Sequence, residues 1–269
     1  MRRIWATPGL DDLPVPEWKR LLVHLADHGF AGIEPMISGP YVLPLQTIQG
    51  LLRESGLAIT GLRTGAITAA HAVTLGHPDP AVRTEAVGRL KEVIQYGTRF
   101  GRPRLLVGLM QGRLEPGQTV EQAAENIVEG LRICADEAAA YEMEIDLEPV
   151  NRYELGYHSR VDEIVEVIHR IDRPNVGILV DTFHMHMEES SIGAALVRAQ
   201  PVLGHVHVAD SNHRAPGMGH FDFAGFFAIL RSLGYKGDVT VEALVQDQYE
   251  AARLCARYLD CIWACVCSS

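Results

Sequence analysis

The chain has 269 residues, 47% of them hydrophobic and 22% charged, the balance of a folded domain with a sizeable core rather than of a disordered segment. Its 34 acidic against 24 basic residues leave a net charge of -10, which disfavours a phosphate-backbone partner, so nucleic acid is not an expected ligand. There is no run of about 18 apolar residues, and the two N-terminal arginines are not followed by an apolar stretch of signal-peptide length; a cytoplasmic protein without membrane contact is therefore expected.

Strand-like and helix-like stretches alternate from the N-terminus. Residues 4–6 predict a brief strand, 15–28 an amphipathic helix, and 32–36 a second strand after the turn residue Gly29. A helix over 45–55 is entered after Pro44, a third strand covers 58–65, a long helix over 80–100 starts after Asp79, and a fourth strand covers 104–109. Thr119 reads as the N-cap of a helix over 119–141 with Glu121 in its first turn, and a fifth strand follows over 144–148. Strands over 176–181, 203–210 and 238–244 then alternate with helices over 161–171, 191–200, 223–233 and 248–263. Strict β-α alternation calls for a parallel sheet, and eight units favour one closed (β/α)8 TIM barrel over residues 1–269, close to the roughly 250 residues typical of that architecture. No GxGxxG follows the first strand, which argues against a dinucleotide site. Of the five cysteines, Cys134 stands alone and Cys255, Cys261, Cys265 and Cys267 crowd the C-terminal end; they read as reduced, partly buried thiols without a chemical role.

Four apolar runs in the second half each reach a residue able to bind a divalent cation: Glu148, Asp181, His207 and Glu242. Side chains at the C-terminal ends of barrel strands converge on one mouth, and such positions read as catalytic. Pro149 removes a backbone donor directly after Glu148 and places that carboxylate at the strand exit. Period two puts His205 and His207 on one face of their strand. Any one of these carboxylates could simply cap a helix or pair with an arginine, but charges on consecutive strands are costly to bury unless paired or metal-bound. Three carboxylates and an imidazole form a hard, oxygen-rich set suited to Mn²⁺, Mg²⁺ or Co²⁺ rather than to structural zinc. Two glutamates beside such an ion suit acid/base work on a carbon next to a ketone, which is enediolate chemistry. Asp146 lies on the same strand face as Glu148, and an arginine partner in the barrel is the only account the sequence offers for it. Gly65, Gly108, Gly112 and the loop 215–219 read as shaping the mouth, while Trp5 and Phe183 read first as core.

The runs Glu148-Pro149-Val150-Asn151-Arg152-Tyr153-Glu154, Asp181-Thr182-Phe183-His184-Met185, His207-Val208-Ala209-Asp210-Ser211-Asn212 and Pro216-Gly217-Met218-Gly219-His220-Phe221-Asp222-Phe223 resemble the xylose isomerase-like TIM-barrel sugar epimerases. Within that family the chain is most similar to the 5-keto-L-gluconate epimerase and ketose 3-epimerase branch, and the likeness extends from Gly65 to Glu242, including Leu75-Gly76-His77-Pro78-Asp79 and Gly108-Leu109-Met110-Gln111-Gly112-Arg113. The resemblance implies one divalent ion, usually manganese with magnesium, cobalt or zinc as substitutes, held by Glu148, Asp181, His207 and Glu242. It further implies that Glu148 and Glu242 exchange a proton through a cis-enediolate, and that Glu154 and His184 hydrogen-bond the substrate. Where the family places an arginine after the asparagine matching Asn212, this chain has His213 and then Arg214, either of which could take up that contact. The expected partner is a small sugar or keto-sugar acid, with homo-oligomerisation left open. An aldose-ketose or hydroxypyruvate isomerase would use the same enediolate, whereas an endonuclease IV-like phosphodiesterase sharing the barrel is disfavoured by the net charge of -10.

Overall fold

The structure, a computed structural model, describes residues 1–39 and 44–268, with the side chains of Cys267 and Ser268 outside the described set. Nine parallel strand segments line the interior: β1 (Arg3–Thr7), β2 (Gly32–Pro35), β3 (Ala58–Ile59), β4 (Gly61–Arg63), β5 (Arg104–Val107), β6 (Ile145–Leu147), β7 (Val176–Asp181), β8 (Leu203–Val208) and β9 (Val239–Val241). They are ordered β3-β2-β1-β9-β8-β7-β6-β5-β4. The two ends of that order, β3 and β4, are halves of one run divided at Thr60. β3 pairs with β2 and β4 with β5, and Thr60 itself serves both neighbours, donating its N–H to Ile33 O (3.1 Å) and accepting from Arg104 N (2.9 Å). Eight positions thus go round a nearly closed barrel, as the alternation of the sequence predicts.

Helices α1 (Val15–Asp27), α2 (Leu45–Ser55), α4 (Pro80–Gly97), α5 (Val120–Ala139), α6 (Val161–Ile171), α8 (Ile192–Ala199), α9 (Phe223–Ser232) and α10 (Gln248–Ser268) cover the barrel. Two short helices, α3 (Gly65–His71) and α7 (Thr182–Glu188), stand at strand exits. The amphipathic sides of the outer helices face the strands and form one core with them, in which Trp5 and Trp18 are each 2% exposed. Asp79 caps α4 by accepting from Ala81 N (2.8 Å), and Thr119 forms a reciprocal capping box with Gln122 on α5, each side chain accepting the other residue's backbone N–H. Among the described residues, no helix is long and apolar enough to cross a membrane.

The strands at the mouth are shorter than the sequence-based expectations. The third strand stops at Arg63 because Gly65 opens α3, and the fourth stops at Val107, where the chain turns at Gly108 into the 3-10 turn Leu109–Gln111. The long fourth helix ends at Gly97 and tightens into the turn Thr98–Phe100. Neither α3 nor α7 is legible as a period, since seven residues hold barely two turns.

Candidate active site

Glu148 and Glu242 lie one residue beyond β6 and β9, still tied to the ladder by Glu148 N to Val107 O (3.0 Å) and Glu242 N to Val208 O (3.2 Å). Asp181 is the last residue of β7 and stands directly opposite His207 of β8. Donor atoms of Glu148, Asp181, His207 and Glu242 all lie within 4.8 Å of one another. Like charges at this separation repel by roughly 3 kcal/mol per pair at an effective dielectric constant near 20. The cluster is therefore unfavourable unless cations or protons neutralise it. Glu148 Oε1, moreover, is buried without a hydrogen-bond partner among the described residues. An orphaned carboxylate oxygen amid three further hard or borderline donors fits a divalent cation.

Each member is held by the protein. Asp181 Oδ1 caps α7, accepting from Phe183 N (2.6 Å) and His184 N (3.4 Å), so it is a helix cap and a member of the cluster together. Gln111 Nε2 donates to the Glu148 carbonyl (2.8 Å). Arg63 Nη1 donates to Glu242 Oε1 (2.5 Å), and His207 Nδ1 lies 2.6 Å from Glu242 Oε2. On its other side, His207 Nε2 is 2.9 Å from Glu34 Oε2.

The two glutamates titrate in opposite directions. Burial raises the Glu148 carboxyl well above the usual range, and the nearby Glu242 charge raises it further. Burial acts on Glu242 as well, but His207 and Arg63 outweigh it and hold that carboxyl well below the usual range. Glu34 is also lowered: its own burial is overcome by His205 and His207. Paired carboxylates pushed apart in this way are suited to acid and base roles.

A small, half-open cavity of about 100 Å³ lies above the cluster. Glu148, Glu154, His184, His207, His213 and Glu242 all line it, with Arg63 as the arginine of the wall. Asn151 orients two of these groups, its side-chain amide donating to Glu154 Oε1 (2.7 Å) and to His184 Nδ1 (2.9 Å). His184 Nε2 in turn stands 3.7 Å from Glu148 Oε1. His213 adopts a left-handed backbone at φ 61° and stacks on Phe183 with ring centroids 4.0 Å apart. Asp210 stabilises that loop by accepting from Ser211 N (2.8 Å), Gly217 N (2.9 Å) and Phe221 N (3.0 Å). Arg214 is exposed and does not line the cavity, so of the two adjacent candidates it is His213 that reaches the pocket.

Asp146 has the arginine partner expected of it, Arg104 Nη1 at 2.8 Å. Trp5 is core, as expected, whereas Phe183 supports a cavity residue. Glu34 and Arg63 were not singled out from the sequence. A signal for Glu34 existed: Gly32-Ile33-Glu34-Pro35 repeats the pattern of an apolar run closed by Glu-Pro that marks Glu148. Arg63 carries no comparable local mark.

The chain is similar to known proteins over most of its length. The sequence profile of the xylose isomerase-like TIM barrel matches residues 22–258. An L-ribulose 3-epimerase of Methylomonas sp. is 30% identical over 85% of this chain and 79% of its own length. A 3-dehydro-D-guloside 4-epimerase of Escherichia coli is 26% identical over 84% of this chain and 86% of its own. In fold, the crystal structure of a D-allulose 3-epimerase from Methylomonas sp. superposes with a TM-score of 0.84 at 24% identity, covering 97% of this chain and 98% of that one. A barrel with its polar cluster at the strand ends and a family profile spanning most of the sequence lead to one assignment: the chain belongs to the xylose isomerase-like TIM barrel family.

Proposed function

We propose that this chain is a divalent-metal-dependent sugar epimerase that inverts the carbinol carbon next to a ketone. The observation that carries the reading is the convergence of Glu148, Asp181, His207 and Glu242 at one mouth, with two glutamates in opposed electrostatic surroundings. Relatives whose names record 3- and 4-epimerisation of keto sugars support it. Glu148, Asp181, His207 and Glu242 would hold the ion, with Mn²⁺ the best match and Mg²⁺, Co²⁺ or Zn²⁺ as substitutes. When bound, the ion supplies Lewis-acid polarisation that acidifies the C–H between ketone and hydroxyl.

Glu148 and Glu242 directly follow β6 and β9, strands three positions apart round an eight-position ring, and so reach the substrate from different sides. One removes the proton to give a cis-enediolate and the other returns a proton to the opposite face. His184, set by Asn151, and Glu154 hydrogen-bond the sugar oxygens, and His213, stacked on Phe183 at the cavity wall, makes a further substrate contact.

The wall of the cavity favours an uncharged ketose or keto-glycoside over a keto-sugar acid. Its arginine, Arg63, is committed to Glu242, to Thr7 O and to Glu34 O (3.0 Å), while Glu148, Glu154 and Glu242 add negative charge. Apart from the proposed ion, an anionic substrate would find no uncommitted arginine among the described residues of this wall.

The test is proton NMR in D₂O with a ketohexose and a keto-hexonate. Epimerisation places deuterium on the inverted carbon, and Glu148→Gln and Glu242→Gln each lower turnover by about 10²–10⁴-fold, the contribution of a positioned acid or base. Interconversion of aldose and ketose instead would assign the enediolate to an isomerase, and near-full activity in either variant would end the two-glutamate mechanism.

A further inference from the structure

We infer that Glu34 is the positioning residue of the metal centre, a buried carboxylate that sets His207 so that Nδ1 is the atom offered to the ion. The inference rests on the four-residue cluster being a metal centre, and goes beyond it by assigning a residue outside that cluster.

Glu34 is wholly buried on β2, inside the barrel. Both its oxygens are engaged. Oε2 faces His207 Nε2 at 2.9 Å; Oε1 accepts from Thr240 Oγ1 at 2.8 Å and faces His205 Nε2 at 2.8 Å, with Thr60 Oγ1 at 3.4 Å. A carboxylate only accepts, so His207 Nε2 must carry a proton and donate it. Nδ1 meets a carboxylate as well, Glu242 Oε2 at 2.6 Å, but it faces the cluster, so it is the nitrogen whose proton a bound cation would displace while Glu34 keeps Nε2 protonated. The partner of the far ring nitrogen thus selects the ligating one, and carboxylate–histidine–metal chains of this kind orient ligands and raise their basicity.

Two further contacts give Glu34 reach over the site. Its backbone carbonyl accepts from Arg63 Nε at 3.0 Å, and the same guanidinium holds Glu242. One residue of β2 therefore steadies two of the four cluster members, His207 through its side chain and Glu242 through Arg63. Gly61 leaves room for it, since a Cβ there would stand 3.0 Å from the Glu34 carboxyl carbon. Glu34, His205 and His207 also lie close enough together to suggest a second ion. Their exposures of 0%, 2% and 1%, and the donors already engaging both Glu34 oxygens, identify the group as a hydrogen-bonded support instead.

The test is Mn²⁺ affinity by titration calorimetry on the full chain after chelator treatment, together with ¹⁵N-histidine NMR of the Mg²⁺-loaded protein to read the His207 tautomer. Wild type binds Mn²⁺ and shows His207 protonated at Nε2. Glu34→Gln, which can present an amide N–H to that nitrogen, lowers affinity by about 10–100-fold, the loss usual for such supporting partners, and changes the tautomer signature; Glu34→Asp restores part of both. If the Gln variant does not fold, Thr240→Val removes one hydroxyl from Glu34 Oε1, and a smaller loss of affinity is expected. Wild-type affinity with an unchanged His207 signature, in folded Glu34→Gln or in Thr240→Val, overturns the inference, even if the melting temperature falls. Failure of the wild-type protein to bind Mn²⁺ overturns the metal centre itself.

Discussion

Glu148 and Glu242 are chemically identical side chains in opposed surroundings. Glu148 keeps one oxygen without a hydrogen bond among the described residues, beside three other members of the cluster, whereas Glu242 has Arg63 on one oxygen and His207 on the other. The position of Glu148 also depends on a neighbouring strand, because a Cβ at Gly108 would come 2.5 Å from Glu148 Oε2 and 3.3 Å from Val150 Cγ2. Gly108→Ala therefore has to displace the carboxylate or the backbone. The expected outcome is a loss of at least about 10²-fold in turnover, on the scale seen when a catalytic group is misplaced by an ångström, in a protein that still folds by circular dichroism. Wild-type turnover in Gly108→Ala would show that Glu148 does not act from the position described. The residue scale is also where the sequence was most informative, since Glu148, Asp181 and Glu242 each terminate an apolar run and can be picked out by eye.

Helices and strands divide the work of the barrel. The outer helices follow ordinary capping rules: Thr119 and Gln122 close α5 reciprocally, and α5 buries Ile127, Leu131 and Cys134 against the barrel. Thr119→Ala should cost about 1 kcal/mol of stability. In a chain of this size that lowers the melting temperature by roughly 2–4 °C, and Mn²⁺ affinity and turnover should stay at wild-type values. A calorimetric scan paired with a turnover measurement checks both halves, and a change in turnover would mean that α5 is coupled to the site. At the mouth the rules change, because side chains and loop backbone take over from the ladder. Strands expected to run to 109, 148, 210 and 244 stop at Val107, Leu147, Val208 and Val241, and the residues beyond them build the cavity. Helix α7 is capped by Asp181, a residue that also belongs to the cluster. Sequence periodicity did not separate these roles, because a single strand-end carboxylate looks the same whether it caps a helix, joins the cluster or does both.

At the scale of the whole molecule, the barrel stores electrostatic repulsion that a cation would relieve. Binding to the folded state alone stabilises a protein by RT ln(1 + [L]/Kd), about 2.7 kcal/mol at 100 Kd. Mn²⁺ added to chelator-treated protein should therefore raise the melting temperature by several degrees, and chelator should reverse the shift. An unchanged melting temperature across a Mn²⁺ titration would count against the four-residue site. The alternation of period-two and period-3.6 stretches and the size determined the β/α barrel, and the chemistry of its strand ends determined which residues were candidates for the site. Tertiary structure alone decided how those residues are supported. Glu34 and His207 are 173 residues apart in the chain, and Arg63 and Glu242 are 179 apart. Local patterns extend over a few turns or one strand, so contacts of that separation exist only once the barrel closes. Closure likewise placed His213 in the cavity and left Arg214 outside it, a choice between adjacent residues that depends on the left-handed backbone at His213 and the loop gathered round Asp210.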